Sequence, residues 1–202
     1  MIAQPATGQW FVSSEGTRWW FDSGAISLDF AYTGSMSDNP AWERWQAPGD
    51  AAAWFEERYG VRVRVTAADL VRVKELRDAV ARLAFDRLRR RPLDARAVAV
   101  VDRWAREPDV PPQLGREPRA TLDRLLATLA RDAVGWLRDH GDRVRECAAG
   151  DCAVVYLDTS RSGNRTWCSM QRCGNRHKVR RQRARTRAAA PARHENEKGT
   201  DR

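Results

Sequence analysis

Long apolar segments are missing from this 202-residue sequence. Its uninterrupted hydrophobic runs end at about five residues, as in 97–101, far short of the roughly 20 that a membrane-spanning helix needs. The N-terminal segment MIAQPATGQW also lacks the basic and apolar regions of a secretory signal. These absences exclude a membrane-spanning protein and predict a cytoplasmic one.

Cysteine is absent from the first 146 positions, and all four cysteines lie in CAAGDC (147–152) and WCSMQRC (167–173). Because cytoplasmic thiols are kept reduced, a metal site explains them better than a disulfide framework does. Each pair encloses four residues, and fifteen residues separate the pairs. Two close thiolate pairs are typical of one structural Zn²⁺ site, while redox-active or inert buried thiols stay open as alternatives.

Lysine is scarce, since only three of the 36 basic residues are lysines, and a high-GC genome alone can enrich arginine. The position of the charge says more than its amount. Between Arg161 and Arg187 there are ten basic residues and no acidic one, whereas the rest of the chain holds 26 basic and 27 acidic residues. The net charge of +9 therefore comes from one segment, which also contains the second cysteine pair.

The N-terminal part predicts a small β element followed by helices. The aromatic stretch 10–34 favours one or two short strands with SSEG as a turn, and the alternating VRVRVT (61–66) favours an edge strand. Asp50 is a candidate N-cap for a short helix that ends at Gly60.

Three longer helices are predicted next, after Thr66, after Asp94 and over 119–140. Two of them carry an apolar stripe at helical spacing, which indicates burial against other elements. The stripe residues are Leu70, Val73, Leu76, Val80, Leu83 and Phe85, then Leu122, Leu125, Leu126, Leu129, Ala133 and Trp136. A proline-bearing connection (108–118) separates the last two helices, and Gly141 is the expected C-terminal stop.

The sequence thus predicts an α+β fold: a mostly helical N-terminal domain with a short N-terminal β element, and a small C-terminal four-cysteine zinc finger made of a β-hairpin and a basic helix. We expect domains at 1–142 and 143–187 and a disordered tail at 188–202. In the finger, AVVYLD and RTW would form a hairpin around TSRSGN and bring the cysteine pairs together. His177 is a rival ligand, but with four cysteines present we expect it on the exposed helix.

The finger resembles the CGNR zinc finger family, whose members have an N-terminal ABATE domain. The resemblance rests on CGNR at 173–176, LDTS at 157–160 and WCSM at 167–170, and more weakly on Leu28-Asp29-Phe30 and the pattern from Asp69 to Arg77. It implies a stress-induced transcription regulator of bacterial type, with one zinc ion held by Cys147, Cys152, Cys168 and Cys173. The sequence departs from many members after the Asp-Phe pair, where it has Ala31-Tyr32-Thr33-Gly34 instead of Asn-Thr.

The segment after Cys173 predicts a basic helix with Asn175 as its N-cap. It has almost no apolar face, and its like charges repel, so it needs the zinc core to fix its start. Arginine and lysine neutralise phosphates and release counterions, which favours duplex DNA as the partner, in the nucleoid, over RNA. The candidate contacts are Arg165, Arg172, Arg176, Lys178, Arg180, Arg181, Arg183 and Arg185. Arg176 could instead bond to Asp158 within the finger.

A regulator also needs an input, either a small-molecule effector or a homodimer contact. Aromatic and acidic side chains near the N-terminus could line a ligand pocket, although ordinary core packing explains them too. They are Trp19, Trp20, Asp22, Asp29 and Tyr32. The sequence contains no evident nucleophile–base pair, and His140 suits a helix C-terminal cap, so we do not expect an enzyme. An RNA- or ribosome-associated zinc protein, and an enzyme with the finger as a targeting module, stay open as alternatives.

Overall fold

The computed structural model describes residues 6–13, 15–36, 42–110 and 120–189. Its elements in chain order are β1 (Gln9–Val12), β2 (Arg18–Phe21), α1 (Ile26–Ala31), α2 (Pro48–Tyr59), α3 (Ala67–Leu88), α4 (Ala95–Arg106), α5 (Leu122–Asp139), β3 (Val144–Glu146), β4 (Val155–Leu157) and α6 (Asn175–Ala189). A 3-10 turn (Gly141–Arg143) precedes β3, and a π-helical turn (Met170–Gly174) leads into α6. The predicted α+β fold is confirmed. No described helix is long and apolar enough to span a membrane.

The helical body consists of α3, α4 and α5, which pack against one another. Every predicted inward residue of α5 is buried, and the middle of the α3 stripe is buried as well, with Leu70 and Phe85 partly covered at its ends. The predicted start signals at Thr66 and Asp94 are N-caps that accept backbone N–H groups of Asp69 and Ala97. His140 occupies the C-cap of α5, as expected.

The motif from Asp69 to Arg77 has a structural role at both ends. Asp69 accepts the Thr66 backbone N–H at 2.9 Å and so completes the cap of α3. Arg77 is buried and donates to both carboxylate oxygens of Glu43, at 2.9 and 2.7 Å. Although burial opposes ionisation, these hydrogen bonds lower the pKa of Glu43 to about 2. The pair ties the segment before α2 to the middle of α3.

One local prediction was correct only in part, and two were wrong. The stretch 10–34 contains the predicted short strands, β1 and β2, but its later part forms the helix α1, whose six residues are all buried instead of alternating. The segment 61–66 is extended but unpaired: its valines are half-buried against the core, and their alternation reflects that contact rather than a sheet. Helix α2 begins at Pro48, so Asp50 lies in its first turn, where it accepts the Gln46 and Ala47 N–H groups.

The β1–β2 hairpin has one covered face and one open face. Trp10 pairs with Trp20 and Val12 with Arg18, so these four side chains share the open face, as strand alternation requires. On the other face, Phe11, Trp19 and Phe21 are buried, and Phe11 and Phe21 pack edge-to-face against Tyr32. The predicted SSEG turn includes Ser14, which lies outside the described residues. The expected connection (108–118) lies mostly outside them, and the expected tail (188–202) lies outside them from position 190 onward.

The finger hairpin pairs differently from the prediction. Strand β4 pairs antiparallel with β3, which precedes Cys147, and the segment RTW forms no strand. Cys147 and Cys152 therefore lie in the connection between the two strands. The prediction failed because pairing partners are set by long-range packing, and β4 is buried against the N-terminal part of the chain.

Backbone contacts attach this finger hairpin to the N-terminal part. Leu157 donates its N–H to the Ser23 carbonyl at 2.8 Å. The Tyr32 hydroxyl donates to the Val155 carbonyl at 2.7 Å and accepts the Val155 N–H at 2.8 Å. A Cβ atom at Gly24 would lie 2.3 Å from the Leu157 carbonyl oxygen, so this approach requires glycine. The buried residues of both parts form one continuous core.

Candidate metal centre and nucleic-acid interface

The four cysteines converge in space. Their sulfur atoms all lie within 4.8 Å of one another, and none forms a disulfide. The Sγ atom of Cys168 lies 3.8 Å from that of Cys152 and 3.5 Å from that of Cys173. Four sulfurs at about 2.3 Å from one Zn²⁺ ion in a tetrahedron are about 3.8 Å apart. The cluster therefore fits one zinc ion.

Local backbone structure presents each sulfur to this point. Cys147 donates its N–H to the Val154 carbonyl at 2.9 Å, which closes the β3–β4 connection, and Cys152 follows a turn closed on Ala149. Cys168 precedes the π-helical turn that contains Cys173. The finger thus supplies one ligand pair from a strand connection and the other from the root of α6.

The electrostatics of the cluster favour a bound cation. The hydrogen bond with Cys152 and burial raise the pKa of the Cys168 thiol, and burial raises that of Cys147. Four neighbouring sulfurs cannot all be anionic without a compensating charge, which a divalent metal supplies. Four protein ligands leave no coordination position for a reacting water, so the ion is structural.

Arg176 adds a second layer to this site. Its Nη2 lies 3.4 Å from the Cys173 sulfur, and its Nη1 lies 3.1 Å from a carboxylate oxygen of Asp151. The hydrogen bond with Cys173 raises the pKa of the arginine, so its charge is secure beside the thiolates. The sequence suggested Asp158 as its partner, and that suggestion was wrong. Its partner is Asp151, which lies between Cys147 and Cys152, and no local sequence pattern indicated this pairing.

Asp158 instead organises the loop between β4 and Cys168. It accepts the backbone N–H of Ser160 at 2.9 Å and of Arg165 at 2.8 Å. Although burial opposes its ionisation, these hydrogen bonds and the hydroxyl of Ser160 lower the pKa of Asp158. The LDTS motif is therefore a loop clamp.

Arg165 is half-buried in the finger, and its guanidinium contacts other parts of the protein. Its guanidinium stacks on the Tyr156 ring, 4.1 Å from the centroid. The same group donates to the carbonyls of Trp167, Cys168 and Asp22, at 3.0, 2.5 and 2.8 Å. The last of these bonds crosses to the N-terminal part of the chain. These contacts give Arg165 a positioning role between the zinc cluster and β2.

The basic helix α6 carries the exposed charge. Residues 177–188 are all exposed, and no acidic residue lies in the helix. Asn175 already has helical dihedral angles (φ −66°, ψ −42°), because the helix continues from the π-helical turn, so the predicted N-cap role was wrong. His177 is exposed and packs on Trp167, with 4.7 Å between ring centroids. That contact agrees with its predicted place outside the ligand set.

The candidate contacts in α6 fall into two groups. Arg176 and Arg180 both pair with Asp151, and the Arg180 ion pair measures 2.8 Å. The others are exposed and do not share Asp151: Lys178, Arg181, Arg183 and Arg185. Arg172 lies earlier, with its guanidinium 4.9 Å from the centroid of the Trp19 ring.

The five predicted pocket residues are not gathered in one place. Trp19 and Tyr32 line a cleft of about 670 Å³ that also includes Arg172. Trp20 and Asp22 line a separate cleft of about 550 Å³ beside the finger.

Asp29 is fully buried and accepts hydrogen bonds from the Gly8 N–H at 2.6 Å and the Ser23 hydroxyl at 2.7 Å. Burial raises its pKa to about 6 despite these bonds. Its carboxylate thus serves contacts within the chain, and effector binding stays a prediction.

A cluster of four cysteines, three of them buried, at the root of a basic helix that is attached to a helical body defines a zinc-finger protein. A family model of the CGNR zinc finger matches residues 143–186. A second model, ABATE, described as "Putative stress-induced transcription regulator", matches residues 24–140. The chain belongs to the ABATE family and carries a CGNR zinc finger, as the sequence motifs indicated. A search of curated proteins returned no match.

Proposed function

We propose that this protein is a zinc-dependent, DNA-binding transcription regulator in which α6 contacts duplex DNA. The observation that carries the proposal is the exposed face of α6, which is basic along its length and starts at the cysteine cluster. Because the zinc site fixes the start of α6, the helix can hold its mutually repelling charges in one fixed arrangement. The family description as a transcription regulator supports the same function.

Phosphate contact is the simplest use of this helix. Lysine and arginine that neutralise backbone phosphates release counterions, so binding weakens as salt rises. We assign the contacts to Lys178, Arg181, Arg183 and Arg185, because they are exposed and, unlike Arg176 and Arg180, are not paired with Asp151. Arg165 is not among these contacts, because its N–H groups already donate hydrogen bonds to carbonyl oxygens within the protein.

We further propose that the chain has two domains with separate roles. We assign residues 1–142 to the regulatory domain and 143–187 to the finger, with the family-model bounds as support. The regulatory domain would respond to a stress signal or small effector, or form a homodimer. The protein would act in the cytoplasm on nucleoid DNA, as a regulator and not as an enzyme.

The salt dependence of DNA binding tests the proposal. Replacing Arg181, Arg183 and Arg185 with alanine should weaken binding to duplex DNA and reduce the slope of log affinity against log salt by roughly one per lost phosphate contact. Fluorescence anisotropy of a labelled duplex, repeated across a salt series, measures both quantities.

The matched control removes the same charge from the helical body. Arg96, Arg106 and Arg138 are exposed on α4 and α5, and their replacement with alanine should leave the slope unchanged. Equal effects of the two triple variants would contradict a specific role for α6. Tighter binding to structured RNA than to duplex DNA at equal salt would favour the RNA-associated alternative.

A further inference from the structure

The open face of the β1–β2 hairpin is uncovered in the described structure. Trp10 is 55% exposed, Trp20 is 40% exposed and Val12 is 63% exposed. The two indoles pack edge-to-face with 5.5 Å between centroids, and the Arg18 guanidinium lies 5.0 Å from the centroid of Trp10. Two large aromatic rings and a cation therefore lie side by side at the surface, with the Trp20 ring against Gly8, where a Cβ atom would come within 2.5 Å of it.

This hairpin adjoins the basic helix. A groove of about 530 Å³ runs between the turn end of the hairpin and α6. The hairpin contributes Thr17 and Arg18 to its lining, and α6 contributes Asn175 and Val179. Further guanidinium groups line it as well, from Arg172, Arg176, Arg180 and Arg183. Glu15 is the acidic residue among its lining residues, so the groove is strongly basic.

We propose that the β1–β2 hairpin is a second nucleic-acid-binding element, in which Arg18 contacts the phosphate backbone and Trp10 and Trp20 stack on unpaired bases. The inference rests on the proposed function and specifies its substrate as DNA with unpaired bases next to a duplex. The sequence prediction placed every nucleic-acid contact after position 160. Arg18 would add one from the N-terminal part.

The chemistry of the surface favours a nucleic acid over a protein partner. Five arginines line one groove, and although Arg176 and Arg180 share the carboxylate of Asp151, the remaining positive charge suits a phosphate backbone. Exposed aromatic faces beside cations are the arrangement that single-strand binders use, because every base has a face on which it can stack. Paired bases hide those faces inside the duplex, so Trp10 and Trp20 select for unpaired ones.

The test compares two labelled DNAs that share one strand: a fully paired duplex, and one whose other strand has thymines opposite a short central run of thymines. We expect the zinc-loaded protein to bind the bubble roughly tenfold more tightly, given the usual strength of base–indole stacking. Replacing both Trp10 and Trp20 with alanine should abolish this preference and keep duplex binding. Arg18→Ala should lower the salt slope on both DNAs by about one.

Matched controls separate the surface from general effects. Trp42 is as exposed as Trp20 but packs against Phe11 on the covered face of the hairpin, so Trp42→Ala should keep the bubble preference. Arg106→Ala removes one exposed charge from α4 and should keep the salt slope. Zinc content and far-ultraviolet circular dichroism confirm that each variant is folded.

The outcomes distinguish this inference from the proposed function. Equal affinity for the two DNAs, or a bubble preference that survives the loss of both Trp10 and Trp20, would overturn the inference while leaving α6 as a duplex contact. Failure to bind either DNA would overturn the proposed function together with the inference.

Discussion

The helical body and the finger are stabilised in different ways. In α5, nine residues are buried, and apolar contact with α3 and α4 stabilises the helix. In α6, residues 177–188 are all exposed, so burial stabilises almost nothing there. The finger depends instead on a metal cluster, the Asp158 loop clamp and the carbonyl contacts of Arg165. The comparison shows how one chain combines helices stabilised by burial in a shared core with an exposed basic helix that needs an ion to hold it.

Loss of one zinc ligand should produce the largest effect. Structural zinc contributes about 10–16 kcal/mol of apparent binding free energy in small fingers. Cys168→Ser should release the metal and remove hydrogen-exchange protection from β3, β4 and α6. Protection should also fall in the β1–β2 hairpin and its neighbours, because Tyr32 and Ser23 bond to β4. Mass spectrometry of exchange, with zinc measured in parallel, checks this.

Ser169→Ala is the matched control, since it changes the neighbouring residue and spares the cluster. The helices α3, α4 and α5 should keep their protection in both variants. A Cys168→Ser protein that retains one equivalent of zinc and full protection of β4 would break the comparison.

A cavity in the helical body should have a smaller effect, which lowers the stability of the fold but leaves the zinc in place. Leu126 is fully buried in α5, and Leu126→Ala should lower the free energy of unfolding by about 2–5 kcal/mol without loss of zinc. Chemical denaturation followed by circular dichroism measures the change. Val71 is 70% exposed on α3, so Val71→Ala should change stability by less than about 0.5 kcal/mol. Zinc loss from the folded Leu126→Ala protein would mean that body and finger are not separable.

The sequence predicted the body better than the finger, for physical reasons. Helical periodicity and caps are local, so the α5 stripe, the Thr66 cap and the Asp94 cap could be found from neighbouring residues alone. The zinc ligand set was also predictable, because two close cysteine pairs are typical of a structural zinc site. The partner of β4 was not, since strand pairing depends on residues far apart in sequence.

Charge was the least predictable property of individual residues. All the arginines of the basic segment look alike in sequence. In the structure, however, the guanidinium of Arg165 donates hydrogen bonds to carbonyl groups, Arg176 pairs with Asp151, and Arg183 is exposed. A guanidinium can serve any of these roles, and only tertiary packing decides which. The exposed Trp10 face was missed for the same reason, because alternation alone does not say which face of a hairpin is covered.

The most direct test of the account removes and restores the metal while DNA binding is measured. Anisotropy of a labelled duplex should fall to that of free DNA when zinc is stripped with a chelator, and should recover when one equivalent of Zn²⁺ is returned. If the stripped protein binds the duplex with the same affinity and the same salt slope, the zinc-anchored helix is not the DNA-binding element.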